Sequence, residues 1–116
     1  MIRKVIQQTK GRKAIDGAGV HLVRVLGDST AHRYDPFLML DAFDSFNKAD
    51  FEAGFPMHPH RGIETISFIS KGSMTHRDHL GTEAVVQDGE AQWLTAGNGA
   101  EHEEMPGGNR LLGTQL

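Results

Sequence analysis

Apolar residues in this chain recur at every second position, between glycines and aspartates set at about the spacing of short strands. Residues 19–26 (GVHLVRVL) carry the pattern, with Val20, Leu22 and, in part, Leu26 facing inward, and Gly27-Asp28 closes the run. Residues 57–70 repeat it, placing Ile63, Thr65, Ser67 and Ile69 on one face and Glu64, Ile66 and Phe68 on the other. No window holds a sustained i, i+3, i+4, i+7 apolar stripe with caps. The chain is therefore predicted to be all-β, an antiparallel barrel or jelly roll.

The turn signals set the expected boundaries. Lys71-Gly72 reads as a turn, and Leu80-Gly81 as the turn between residues 73–77 and 83–87. Asp88-Gly89, between AVVQ and EAQWL, is the clearest hairpin signal, because a type I′ turn needs positive φ at both central residues. Residues 36–40 (PFLML) form a second apolar run. Residues 41–55 read as a covering loop pinned by Phe43, Phe46, Phe51 and Phe55. Residues 95–99 read as a glycine-rich loop, 101–105 as a short extended piece halted by Pro106, and 111–116 as the start of another strand. Phe68 and Trp93 are expected in the core, since large aromatics dominate small β cores.

At 116 residues the length fits one domain, and 14 glycines with few aromatics suit a turn-rich β protein. A net charge of -3 with no basic block gives no reason to expect direct nucleic-acid binding. The absence of cysteine excludes disulfides, thiolate metal sites and a cysteine nucleophile. The opening MIRKVIQQTKGRK lacks the apolar centre of a secretory signal, and no apolar run approaches a membrane span. A soluble, cytoplasmic protein is expected. No Ser/His/Asp set can be assembled, and the glycines of TAGNGAE do not follow phosphate-loop spacing.

Seven histidines stand in this short chain, and two of its segments can bring some of them together. In a strand, residues two apart share a face, so the imidazoles of His58-Pro59-His60 can reach one ion. Pro59 cannot donate to a ladder, which puts this segment at a strand start or a sheet edge. The same period aligns His102 with Glu104. If the two segments face each other across a barrel, they offer three imidazoles and one carboxylate. Such a set without sulfur suits iron, manganese, nickel, copper, cobalt or zinc, with positions left open for chemistry. Glu64 competes for the carboxylate role: four residues after His60, it shares that face if no bulge intervenes. It reads as a fifth ligand, as a hydrogen-bond partner fixing an imidazole, or as an ion-pair partner of Arg61 or Arg77. His76 and His79 read as structural and turn residues, and His21 and His32 lie among polar neighbours.

Three stretches together resemble the pirin family of the cupin superfamily: DPFLMLDAF at 35–43, HPHRGIETISFISKGSMTHRDHLG at 58–81 and DGEAQWLTAGNGAEHEEMP at 88–106. The spacing departs from generic cupin motifs in the pirin manner. Gly72 comes one residue late after Glu64, and four residues separate Gly97 from His102. Ala100-Glu101 differs from the apolar residues that pirins usually carry before the second-motif histidine.

The resemblance implies a cupin fold, specifically the first of two tandem cupin domains, with residues 1–116 as a single domain whose late strands are incomplete. An exposed sheet edge would then favour homo-oligomers. It implies one metal ion, usually iron, held by His58, His60, His102 and Glu104, with Glu64 not a ligand. It also implies an iron dioxygenase acting on flavonols such as quercetin and releasing carbon monoxide. In that reaction Glu104 or Glu64 would accept the substrate's hydroxyl proton. The alternative implied role is a non-catalytic, redox-sensitive metal module that partners a transcription regulator.

Overall fold

The computed structural model describes residues 2–116. Among these residues, eight strands and two short helical turns follow one another. They are β1 (Arg12–Asp16), β2 (Val20–Leu26), α1 (Ala31–Tyr34), β3 (Leu40–Ser45), a 3-10 turn (Lys48–Asp50), β4 (Phe55–His60), β5 (Glu64–Asp78), β6 (Glu83–Val86), β7 (Glu90–Thr95) and β8 (Ala100–Gln115). All pairing is antiparallel, in the order β1-β2-β3-β8-β5-β6, with β4 added to β8 and β7 added to β5. The all-β expectation holds, and among the described residues the sheet does not close into a full barrel.

Two long strands form the spine. β5 and β8 pair over most of their lengths, from Ser67 opposite Gln115 to Asp78 opposite His102. Midway the register breaks: between the pairs Lys71–Leu112 and Ser73–Gly107, β8 runs through residues 108–111 while β5 has only Gly72. Such a bulge bends a strand and shifts its inward-facing positions. Before it, β5 buries Ser67 and Ile69; after it, Met74 and His76. β8 switches likewise, from His102 and Glu104 to Leu111. Gly72 has a φ of 98°, and a Cβ there would lie 2.2 Å from the Arg110 carbonyl oxygen, so only glycine fits.

The spine folds back at this point. Glu104 pairs with His76, nine residues along β5 from Ser67, a separation of roughly 30 Å in a flat strand. Yet Ser67 Oγ donates to Glu104 Oε1 at 3.0 Å. The two halves of the sheet therefore face each other. The apolar core between them contains Val20, Leu22, Phe43, Phe51, Phe55, Ile69, Met74, Val86 and Leu111. Phe43 and Phe55 meet edge to face at 6.1 Å.

Several local expectations are corrected. Residues 41–55 are not one loop, because β3 occupies Leu40–Ser45; of the four phenylalanines Phe43, Phe51 and Phe55 are buried, while Phe46 is exposed under the Arg110 guanidinium. The apolar run at 36–40 leads into β3 with Phe37, Leu38 and Met39 exposed. Residues 57–70 split into β4 and β5 at Gly62 (φ 70°). Lys71-Gly72 is a bulge within β5, and β8 runs through Pro106 without stopping. Asp88 keeps a negative φ, so the Asp88-Gly89 turn is not type I′. The strands it joins, β6 and β7, pair with different halves of β5 rather than with each other. Phe68 and Trp93 face outward, Trp93 with 66% of its surface exposed. The Leu80-Gly81 hairpin and the inward Val20 and Leu22 stand as expected. No described helix is long and apolar enough to cross a membrane.

Candidate metal centre

His58 and His60 come from β4, which pairs only with β8 among the described strands, as the edge position of Pro59 requires. His102 comes from β8 and is paired directly with His58 on one side and with Asp78 on the other. The two ligand segments are thus neighbours in one ladder, not opposed across a barrel. Directly paired residues share a face, and here the pairing brings one nitrogen from each of His58, His60 and His102 within 4.8 Å of the others. The ring centroids are 4.5 Å (His58–His102), 4.8 Å (His58–His60) and 5.1 Å (His60–His102) apart.

Hydrogen bonds decide which nitrogens remain free. His58 Nδ1 lies 2.8 Å from the Pro56 carbonyl, which can only accept, so Nδ1 carries the proton and Nε2 keeps its lone pair. His102 Nδ1 is engaged by His76 Nδ1 at 3.2 Å. His102 Nε2 is buried without any partner. A buried polar atom without a partner is costly, and an ion among the three rings would satisfy it. The electrostatics agree. Burial, and then the neighbouring His58 and His60, push the His102 ring down to about 4. Burial and His58 lower His60 as well, opposed by the negative charge of Glu104. These shifts favour the uncharged form of His60 and His102, the state in which imidazole binds a metal. The residues present therefore fit a transition-metal ion.

Glu104 lies on the same face as His102 and is buried. Its Oε1 accepts from Ser67 Oγ at 3.0 Å and its Oε2 from Gln115 Nε2 at 2.6 Å, and Gln115 also donates to Ser67 Oγ at 2.9 Å. Two donors thus orient the carboxylate, which stays outside the group formed by the three histidine nitrogens. Glu64 is not brought to the cluster. It is exposed on the first residue of β5 and accepts from Trp93 Nε1 at 3.2 Å and Thr95 Oγ1 at 3.1 Å. The break at residues 61–63 cancels the even-offset reasoning from His60. His79 lines an open depression of about 510 Å³ together with Pro59, His60, Arg61, Gly99, Ala100 and Glu101, at the rim beside the cluster.

The structural reading of His76 stands, since the ring is buried with both nitrogens hydrogen-bonded; sequence reasoning missed the supporting residues Ser67, Asp78 and Gln115. His76-x-Asp78 was a legible same-face pair. What hid its side of the sheet was the bulge at Gly72.

A family model described as Pirin matches residues 19–116. The chain belongs to the pirin family. Among its relatives is a Pseudomonas aeruginosa protein bearing the provisional name of a quercetin 2,3-dioxygenase, 51% identical over 104 residues, covering 90% of this chain and 36% of that protein. Two solved pirin-like structures extend the likeness. A quercetin 2,3-dioxygenase from Acinetobacter baumannii superposes with a TM-score of 0.74 at 28% identity, over 93% of this chain and 41% of that one. The bacterial pirin YhhW of Escherichia coli, solved in complex with nickel(II), superposes with a TM-score of 0.65 at 26% identity, over 90% and 46%. This pirin chain has the cupin fold of those neighbours and spans less than half the length of each protein compared.

Proposed function

We propose that this chain is the metal-binding cupin unit of a pirin-type dioxygenase that consumes a flavonol such as quercetin together with dioxygen and releases carbon monoxide. The observation that carries this reading is the convergence of His58, His60 and His102, with the lone pairs of His58 and His102 turned away from their hydrogen-bonded Nδ1 atoms. These three residues would hold the ion, and Glu104 is the fourth ligand in this reading. Iron is the proposed metal; nickel in a family neighbour supports a site tolerant of divalent first-row ions. When bound, the metal supplies a Lewis acid and a template for an oxygen-rich aromatic substrate.

The protein's own groups would do the rest. Glu104, a buried carboxylate oriented by Ser67 and Gln115, is the proposed acceptor of a phenolic proton. The depression beside His60, with Arg61 on its wall, is the proposed approach for a flat phenolic ligand.

The test is elemental analysis of protein purified without chelator, followed by an aerobic assay with quercetin and a carbon monoxide readout. Bound metal with carbon monoxide release supports the reading. Bound metal without turnover would redirect it to a non-catalytic metal module, and absence of metal would overturn it.

A further inference from the structure

The deepest histidine ligand is held by a chain of hydrogen bonds that begins at a carboxylate on the far side of β8. Asp78 Oδ2 lies 3.3 Å from His76 Nε2, and His76 Nδ1 lies 3.2 Å from His102 Nδ1. His76 and His102 are both almost wholly buried, with 2% and 1% of their surface exposed, and their rings sit 5.2 Å apart. Asp78 is itself fixed, because its Oδ1 accepts from the backbone N–H groups of Leu80 (2.9 Å) and Thr82 (3.0 Å) in the β5–β6 turn.

The direction of each bond follows from what its partners can do. An ionised carboxylate only accepts, so His76 Nε2 must donate to Asp78. The backbone N–H of Thr82, supported by the His76 ring and the Leu80 N–H, pulls the Asp78 carboxyl down to about 2, so it is ionised throughout the neutral range. With its one proton on Nε2, His76 presents a bare Nδ1. The facing His102 Nδ1 must then carry the proton, and His102 Nε2 is left with the lone pair. That nitrogen is the buried atom without a partner.

We infer that Asp78 and His76 are positioning residues that fix the tautomer of His102, so that its Nε2 lone pair is aimed into the His58–His60–His102 cluster before any ion arrives. This rests on the metal-binding reading of that cluster and adds the residues that prepare it. Preparation of this kind raises affinity because the ring neither rotates nor exchanges a proton on binding.

The informative variant is Asp78→Asn. The asparagine carbonyl oxygen can keep the Leu80 and Thr82 bonds, which leaves its NH2 group facing His76. His76 Nε2 then has to accept, its Nδ1 has to donate, and His102 moves its proton to Nε2. In metal-free protein, long-range ¹H–¹⁵N spectra of the imidazoles should show His102 protonated on Nδ1 in the wild type and on Nε2 in Asp78→Asn. Nickel(II) titration should show a loss of about 10- to 100-fold in affinity for the same variant. His76→Gln, whose amide oxygen can accept from His102 Nδ1, should hold the wild-type tautomer and most of the affinity, whereas His76→Leu should lose both.

A His102 already protonated on Nε2 in the wild type would overturn the inference. So would an Asp78→Asn protein with native circular dichroism, wild-type tautomer and wild-type affinity. If Asp78→Asn does not fold, the contrast between His76→Gln and His76→Leu decides in the same way. A wild-type protein that takes up no nickel overturns the metal reading instead, and the tautomer of the metal-free ring still decides this one.

Discussion

His58 and His102 stand directly opposite each other on neighbouring strands, with ring centroids 4.5 Å apart. The pair is made by register, so it forms only when β4 and β8 are zipped in the observed alignment. Replacing His102 by Ala should reduce nickel or iron affinity by at least about a hundredfold, beyond what loss of a supporting residue costs. His58→Ala should do the same while keeping its strand signal in circular dichroism, since His58 is only partly buried. Elemental analysis of the purified variants checks both.

The two glutamates that compete in the sequence separate cleanly in the fold. Glu64→Gln should leave metal content unchanged, because its carboxylate is spent on Trp93 and Thr95 at the surface. It should instead alter Trp93 fluorescence, since the indole loses a charged acceptor. Glu104→Gln should lower metal affinity and any flavonol turnover. Equal metal loss in the two variants would show that the assignment of Glu104 is mistaken.

Arg24 clips three strands together. From β2 it donates to Asp41 on β3 at 2.9 and 2.8 Å and to Asp16 on β1 at 2.5 Å. Asp41 is buried, so Arg24→Met would leave a carboxylate in the interior without its cation. A cost of about 2 to 4 kcal/mol is expected in urea unfolding, slightly below that of a wholly buried pair because Arg24 keeps some solvent contact.

The same clip sets a pH dependence. The Arg24 hydrogen bond, more than any other influence, holds the Asp16 carboxyl below its ordinary value of 3.8. A carboxyl lowered on folding adds stability that is complete above its unfolded value and disappears as the pH falls through its folded one. The stability difference between wild type and Asp16→Asn should therefore be steady near neutral pH and shrink below about pH 4. Urea midpoints across that range measure it, and a difference that grew on acidification would contradict the linkage.

Gly72→Ala should be among the most damaging single changes available to this chain. A Cβ would strike the Arg110 carbonyl oxygen at 2.2 Å, at a φ of 98°. A loss of about 3 kcal/mol or more is expected. Gly97→Ala, also at positive φ but with nothing within 4 Å, should cost only about 1–2 kcal/mol. Thermal unfolding of the two variants makes the comparison.

Much of the site was legible because period-two alternation is local. His58 and His60, or His102 and Glu104, share a face whatever the rest of the chain does. Which segment lies beside which was not legible, and His58 opposite His102 is a pairing between residues far apart in the chain. Glu64 was misplaced for a definite reason: the even offset from His60 assumes an unbroken strand, and the chain breaks at Gly62. The link from His76 to His102 was hidden for the converse reason, since the bulge at Gly72 changes which residues of β5 point inward. Trp93 was expected inside on size alone, but its register opposite Ile66 puts it on the outer face, where its N–H donates to Glu64. The pirin-like motifs carried the family assignment where alternation could not.

The position of β8 has a consequence for the order in which the molecule can assemble. It follows β1 to β7 in the sequence, yet it lies at the centre of the sheet, bordered by β3, β4 and β5. As the polypeptide is synthesised, β3 and β4 have to wait without their main partner until β8 emerges and inserts between strands made much earlier. Late, distant pairing of this kind is slow. Until it happens His102 has no place beside His58 and His60, so uptake of an ion by all three histidines would mark a sheet with β8 already in place, and a chain still lacking that pairing would have no such trap to offer.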